Sequence, residues 1–191
     1  MNRWARSPSE LDMKSRTSIP SLVLGALGVG LLVASATWNA AVAPPVALAQ
    51  VSSGSRAPEI GLADINGRAI RLADLRGKVV VVDFWASWCA PCRESFPFWN
   101  GLQRRYGSQG LVIVAVSVDR ELSNVRTFLR RNPATFRIVH DGAHAIADRY
   151  RPSTMPSTFI VDKRGVVRLV HRGFRAADTR GLETQIQTLL R

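Results

Sequence analysis

The 191-residue chain has two cysteines, Cys89 and Cys92, and only two residues separate them. The stretch "DFWASWCAPCRESFP" places both directly after a hydrophobic run and at the start of a helical pattern. Residues three apart on a helical turn are neighbours, so their Cα atoms fall near the range of about 4.4–6.8 Å that a disulfide requires. Because so short a loop adds little stability, the pair is better explained by redox chemistry than by a structural role.

A helix start gives this chemistry a mechanism. Unpaired backbone N–H groups and the helix macrodipole favour a thiolate at Cys89, and such a site lowers a thiol pKa from ~8.5 toward ~7 or below. The more buried Cys92 would then attack a mixed disulfide formed at Cys89 and release the partner. Pro91 is tolerated in the first helical turn. We expect Trp85 and Trp88 to line the site.

Zinc binding and a purely structural disulfide are the other uses of such a pair. Zinc would need two further ligands, and the sequence has no second CxxC motif. The histidines His140, His144 and His171 do not form an H-x3–5-H pair on a helix, because Asp141-Gly142 interrupts the first two. We therefore predict no metal, and no cofactor beyond a redox-active Cys89–Cys92 disulfide.

The apolar pattern predicts alternating strands and helices. The stretch 59–75 alternates around Asn66-Gly67, which favours a type I′ hairpin turn. The run 78–86 is apolar on both faces, as expected of a central strand. Further strands are predicted over 110–119, 136–141 and a hairpin at 157–173, and helices from Pro91 to about Tyr106 and over 121–132, 143–150 and 176–191. The order predicts an α/β sheet covered on both faces, with an added N-terminal hairpin.

The chain is strongly basic, with a formal net charge of +12. From Gln50 onward, 22 Lys and Arg face 12 Asp and Glu, which gives +10. The basic residues are scattered, the longest clusters are pairs, and no aromatic-basic interleaving of the single-strand-binding kind appears. We therefore predict a solvated basic surface and no nucleic-acid partner.

The N-terminal part has the pattern of an export signal. Lys14 and Arg16 precede an uncharged run over 19–50, and Ala47-Leu48-Ala49 matches the A-x-A cleavage pattern. Met13 is an alternative start. A retained membrane anchor is the other interpretation, because residues 21–38 are about long enough to span a bilayer. Either outcome places the protein outside the cytoplasm, and the predicted divisions are a signal or anchor at 1–49, a linker at 50–57 and a domain at 58–191.

Three motifs make roughly residues 56–190 resemble the thioredoxin superfamily, and most of all its exported branch of TlpA/ResA-like thiol-disulfide oxidoreductases. They are "FWASWCAPCRESFP", "LADLRGKVVVVDFWA" after the hairpin, and "PSTMPSTFIVDKRG". The resemblance implies a thioredoxin-like fold, with a central mixed sheet flanked by helices. It also implies a cis Met155-Pro156 bond facing the cysteines, and substrate contacts from Trp88, Ala90, Pro91, Met155 and Pro156.

Asp83 is the third candidate catalytic residue. A carboxylate inside an apolar strand is anomalous, and burial raises its pKa toward a value suited to taking a proton from Cys92. It matches the buried aspartate of thioredoxin proper, whereas Ser95 stands where the exported relatives usually have a glutamate. A solvated aspartate at a strand edge, or a structural hydrogen bond to a buried hydroxyl, is the alternative.

The expected function is that of an exported protein-disulfide reductant in the periplasm or on the outer face of the inner membrane. The resemblance implies disulfide-containing envelope proteins as substrates, such as apocytochrome c or copper-site proteins, and recharging by a membrane thiol transporter. A peroxiredoxin-like peroxidase is an alternative, but Ala86 and Val82 stand where it needs threonine and proline. A copper- or haem-handling binding module is another.

Overall fold

The computed structural model describes residues 50–191, so the predictions for residues 1–49 lie outside the described residues. The strands are β1 (Leu62–Ala63), β2 (Ala69–Ile70), β3 (Val79–Trp85), β4 (Leu111–Ser117), β5 (Arg137–His140), β6 (Ser157–Val161) and β7 (Val167–Arg172). The helices are α1 (Ala90–Tyr106), α2 (Leu122–Arg131), α3 (Ala147–Tyr150) and α4 (Thr179–Leu190). The predicted order of strands and helices is confirmed. The last helix starts later than predicted, because a 3₁₀ turn takes up Ala176–Asp178.

Five strands form one mixed sheet in the order β5-β4-β3-β6-β7. Strands β3, β4 and β5 run parallel, while β6 is antiparallel to both β3 and β7. All seven residues of the central strand β3 are buried, as its two apolar faces require. The predicted α/β fold with a central mixed sheet is confirmed.

Successive side chains of β3 point to opposite faces and enter two separate cores. Val79, Val81 and Trp85 pack with residues of α1, α2 and α4. The alternate residues Val80, Val82 and Phe84 pack against the other layer, which contains Tyr150 of α3 and the two buried isoleucines of the N-terminal hairpin region, Ile60 and Ile70. Asp83 occupies the position between Val81 and Trp85, so its side chain points to the α1 face.

The N-terminal hairpin is present as the small pair β1-β2, but the predicted type I′ turn is wrong. The strands pair Ala63 with Ala69, which leaves a five-residue loop. Within this loop, residues 64–68, only Gly67 has a positive φ, of 82°. A type I′ turn needs two such residues in succession. Asp64 explains the difference, because its Oδ1 accepts hydrogen bonds from the backbone N–H groups of Asn66 and Arg68 at 2.9 and 3.0 Å.

Residues 50–57, predicted as a linker, contact the domain. Val51 is buried in the core beside the hairpin. Gly54 N donates to Val167 O at 2.8 Å, and Ala57 N donates to Gly165 O at 3.0 Å. These bonds hold the segment along the start of β7. Among residues 50–191, no helix has the length and apolar character needed to cross a membrane.

Candidate active site

The cysteines lie where the central strand gives way to α1. Cys89 is the N-cap of α1 in an extended backbone conformation, and Cys92 lies in its first turn. A disulfide joins them, with the Cα atoms 5.3 Å apart. Cys89 Sγ also accepts a hydrogen bond from Cys92 N at 3.2 Å. In the reduced protein, this N–H donor and the helix N-terminus favour the thiolate of Cys89.

The two sulfur-bearing residues differ in exposure. Cys89 is 4% exposed and Cys92 is wholly buried. Ala90 and Pro91 are exposed, and Trp88 is 70% exposed, so this side of the cysteine pair presents an apolar surface to solvent. Any partner protein that reaches the disulfide from outside therefore contacts Cys89 before Cys92.

Trp85 does not line the site, contrary to our expectation. It is wholly buried, with ring centroids 4.9 Å from Phe96 and 4.8 Å from Phe128. The reason is the alternation of β3, which turns position 85 into the core beneath α1 and α2. Trp85 therefore supports the first turn of α1 from below and offers no surface to a substrate.

The Met155-Pro156 peptide bond is cis, as the resemblance implies. Pro156 is buried and directly precedes β6, whose first residue Ser157 pairs with Phe84 near the end of β3. The sheet register thus brings the cis-proline loop to the same sheet end as the cysteines. Met155 is half-buried and packs against the core cluster that contains both cysteines.

Asp83 is 1% exposed on the α1 face of the sheet. Thr158 Oγ1, on the paired strand β6, donates a hydrogen bond of 2.6 Å to Asp83 Oδ1. Asp83 Oδ2 is buried without a hydrogen-bond partner among the described residues. Burial raises the pKa of Asp83 from 3.8 to about 7, although the hydrogen bond from Thr158 and the nearby indole of Trp99 oppose the rise. Among the described residues, Trp99 Nε1 is also buried without a hydrogen-bond partner of normal geometry.

The alternative to a catalytic role for Asp83 is a structural hydrogen bond to a buried hydroxyl. The contact with Thr158 is such a bond. It satisfies one carboxylate oxygen and leaves the other without a partner among the described residues, so that oxygen is able to accept a proton. Ser95, at the position where the exported relatives have a glutamate, is wholly buried and donates to Cys92 O at 2.9 Å. Ser95 therefore carries no titrating group to this part of α1.

Asp119 is a site residue that the sequence did not reveal. It follows β4 and is 3% exposed, and its carboxylate accepts three hydrogen bonds. The donors are Ser87 N at 2.9 Å, Ser87 Oγ at 2.7 Å and Ser117 Oγ at 2.8 Å. Because Ser87 lies two residues before Cys89, this carboxylate fixes the loop that leads into Cys89. Its position after β4 could have indicated its role, because the carboxyl ends of the neighbouring parallel strands β3 and β4 lie at the same end of the sheet.

Two of the three histidines hold the segment Val118-Asp119, directly after β4. His140 Nε2 lies 2.8 Å from Asp119 O, and His144 Nε2 lies 3.1 Å from Val118 O. A carbonyl oxygen only accepts hydrogen bonds, so each Nε2 is the donor. Both histidines therefore hold backbone rather than a ligand. In the part of the chain that the structure describes, no group of three or more His, Cys, Asp or Glu residues could hold a metal ion.

Sequence comparisons give a consistent family. The model of the AhpC/TSA family matches residues 53–170. Thiol-disulfide oxidoreductase ResA from Geobacillus thermodenitrificans is 39% identical over 158 residues, which is 83% of this chain and 86% of that protein. ResA from Bacillus subtilis is 38% identical over 117 residues, 61% of this chain and 65% of that protein.

Among solved structures, a Chlorobium tepidum protein assigned as the thiol:disulfide interchange protein DsbE is similar in both sequence and fold. It is 39% identical, has a TM-score of 0.72, and the match covers 74% of this chain and 100% of that one. The names of these relatives all describe thiol-disulfide exchange, which is the chemistry that the cysteine pair described above can perform. The chain therefore belongs to the AhpC/TSA family, and it is a thioredoxin-like thiol-disulfide oxidoreductase.

Proposed function

We propose that the protein is an exported dithiol reductant that reduces disulfides in other envelope proteins. The observation that carries this proposal is the asymmetry of the cysteine pair. Cys89 caps α1 beside the exposed residues Trp88 and Ala90 and is 4% exposed, whereas Cys92 is wholly buried in the first turn. This arrangement separates an attacking thiolate from a thiol that reacts only within the protein.

The reaction conserves atoms and electrons in two exchange steps. The Cys89 thiolate attacks one sulfur of a substrate disulfide, forming a mixed disulfide and releasing the other substrate sulfur as a thiolate. Cys92 then loses its proton and attacks Cys89 Sγ, which releases the second substrate thiolate. The substrate disulfide gains two electrons, and the Cys89–Cys92 dithiol becomes the disulfide seen in the structure.

Asp83 is the proposed proton acceptor for Cys92 in the second step. Its side chain lies on the α1 face of β3, the face that buries Cys92, and Oδ2 has no partner among the described residues. A general base is most effective when its pKa lies near the working pH, and the pKa of about 7 at Asp83 meets this condition near neutral pH. The proton would pass from Cys92 to Asp83 and leave the site when the substrate departs.

The proposed substrate surface combines the exposed first turn of α1 with the cis-proline loop. Trp88, Ala90 and Pro91 offer apolar contact beside Cys89. Met155, before Pro156, precedes β6 and offers backbone groups that pair with an extended substrate segment as a further strand would. The apolar side chains give contact area, and the backbone pairing places the substrate disulfide against Cys89.

The pattern of residues 1–49 supports export, with the signal either cleaved after Ala49 or retained as an anchor. In that compartment the substrates would be disulfide-containing envelope proteins, such as apocytochrome c or copper-site proteins. A membrane thiol-reductant transporter would return the disulfide to the dithiol. The peroxidase alternative finds no support at Ala86 and Val82, and a copper-binding module would reveal itself by copper(I) titration of the reduced chain.

Reduction of insulin disulfides by the full chain, followed by trapping, tests the proposal. The wild-type protein should reduce insulin, and Cys92→Ser should accumulate a mixed disulfide through Cys89. Cys89→Ser is the matched control, which keeps one thiol and should trap no partner. Alkylation of the reduced wild-type protein near neutral pH should label Cys89 first. Faster labelling of Cys92, or equal trapping by both variants, would refute the assignment.

A further inference from the structure

A groove of about 360 Å³ opens beside the cysteine pair, between α1 and α2. Ser87 and Arg93 form its border on the active-site side, close to Cys89 and Cys92 in the chain. The opposite wall belongs to α2, with Asn124, Thr127, Phe128 and Arg131. We call this surface the arginine groove. Its floor is the buried ring of Phe128, and its other lining side chains are polar or charged.

Two arginines line the arginine groove, and the nearest carboxylate that contacts a lining residue is the buried Asp119 behind Ser87. The side chains of Arg93 and Arg131 make no hydrogen bond and no ion pair with any residue in 50–191, and both are exposed. No acidic residue lines the groove. Arg130 adds a third guanidinium at the border, where its Nη2 donates to Thr127 Oγ1 at 3.1 Å. An anion bound in the groove would therefore meet guanidinium groups from both helices, and its attraction to them would favour binding.

Helix electrostatics account for only one of these two arginines. Arg93 lies in the first turn of α1, the end at which the macrodipole favours negative charge. Arg131 ends α2, where a cation is favourable, but it makes no contact with the helix carbonyls. Asn132 caps that end instead, and both its N and its Nδ2 donate to Phe128 O, at 2.9 and 3.1 Å.

We propose that the arginine groove binds a carboxylate side chain of the substrate polypeptide, so that the protein prefers disulfides flanked by Asp or Glu. Guanidinium groups bind carboxylates through paired, charge-assisted hydrogen bonds. Asn124 and Thr127 offer further donors, and the ring of Phe128 contacts the methylene carbons. The inference rests on the proposed reduction of protein disulfides and adds the chemical class of the segment around the reacting cysteine.

Arg93 has a second effect, since its charge beside α1 also favours the Cys89 thiolate. Arg131 is on another helix, so substitutions of Arg131 test substrate recognition without changing the charge next to Cys89.

The probes are three synthetic peptides with one intramolecular disulfide each, identical except for Glu, Gln or Lys next to one cysteine. The reduced full chain should reduce the Glu peptide with a kcat/KM about tenfold above that of the Gln peptide, with the Lys peptide lowest. High salt should shrink the preference.

In Arg131→Gln, the ratio of Glu to Gln peptide kcat/KM should fall from about tenfold to about twofold, and Arg131→Glu should favour the Lys peptide. The matched control is Arg180→Gln. Arg180 is an exposed arginine of α4 that does not line the groove, so this variant should keep the wild-type ratio of Glu to Gln peptide kcat/KM. Equal rates on all three peptides would overturn the inference and leave the reductase function standing. A preference that survives in both Arg131 variants would overturn it too, and failure to reduce any peptide would overturn the reductase function itself.

Discussion

Asp83 and Asp119 are two of the three buried carboxylates at the sheet end that carries the cysteines, with Asp141 after β5 as the third, and these two differ in how their oxygens are satisfied. Asp119, after β4, accepts three hydrogen bonds, which serve both of its oxygens. Asp83, within β3, accepts one from Thr158, and its Oδ2 has no partner among the described residues. Their exposures, 3% and 1%, are nearly equal, so burial alone does not distinguish them.

The difference separates a positioning group from a titrating one. The three hydrogen bonds that Asp119 accepts hold their donors in place, so Asp119 fixes Ser87 and the loop before Cys89. A carboxylate buried with few donors favours its neutral form, which is why the pKa of Asp83 rises to about 7. One carboxylate thus holds the loop before Cys89, and the other is suited to exchange a proton with Cys92.

The largest expected effect is on stability at Asp119. Asp119→Ala removes the acceptor of three buried hydrogen bonds and leaves Ser87 and Ser117 with unsatisfied donors. We expect the free energy of unfolding to fall by about 3–5 kcal/mol, measured by urea denaturation. Asp74→Ala is the matched control, because Asp74 is exposed and pairs only with Arg71, and it should change stability by less than about 1 kcal/mol. Equal losses in the two variants would remove the distinction between the carboxylates.

Asp83→Asn should act in the opposite direction and depend on pH. The pKa of about 7 in the folded protein lies above 3.8, so the folded protein binds the proton more tightly than the unfolded chain. The contribution of Asp83 to wild-type stability is therefore fully present below about pH 4, declines as the pH rises from there to about 7, and is lost above it. The variant lacks this decline and should be more stable than wild type at pH 8, by on the order of 3 kcal/mol. The advantage should shrink toward pH 4, and a variant less stable than wild type at pH 8 would contradict the account.

Thr158→Val should produce the smallest change. It removes the one hydrogen bond to Asp83 with little change in shape, and this bond lowers the pKa of the carboxyl. The pH at which wild-type stability declines should therefore move up, by roughly one unit. Thr158→Ser keeps the hydroxyl and should restore the wild-type profile. A profile that stays in place in Thr158→Val would show that Thr158 does not set the titration of Asp83.

Local patterns were enough to predict the reacting residues but not their surroundings. The CxxC pair, the apolar strand around Asp83 and the proline before β6 each have a signature within a few residues. Asp119 and the arginine groove do not, because they depend on the pairing of β4 with β3 and on the packing of α2 beside α1. Trp85 was placed wrongly for a related reason, since only the alternation of β3 turns it into the core. The hairpin turn was mispredicted because the Asp64 side chain competes for the loop N–H groups.

The rate at which Cys92 resolves a mixed disulfide tests the central claim most directly. A mixed disulfide between Cys89 and a small aromatic thiol is formed in the full chain, and release of the thiol is followed by absorbance from pH 5.5 to 9. For wild type we expect the rate to rise through an inflection near pH 7, where Asp83 loses its proton. Asp83→Asn should lose that inflection and resolve about 100-fold more slowly at pH 7.5, whereas Asp119→Asn should keep the inflection. An Asp83→Asn profile that coincides with wild type across this range would contradict the account.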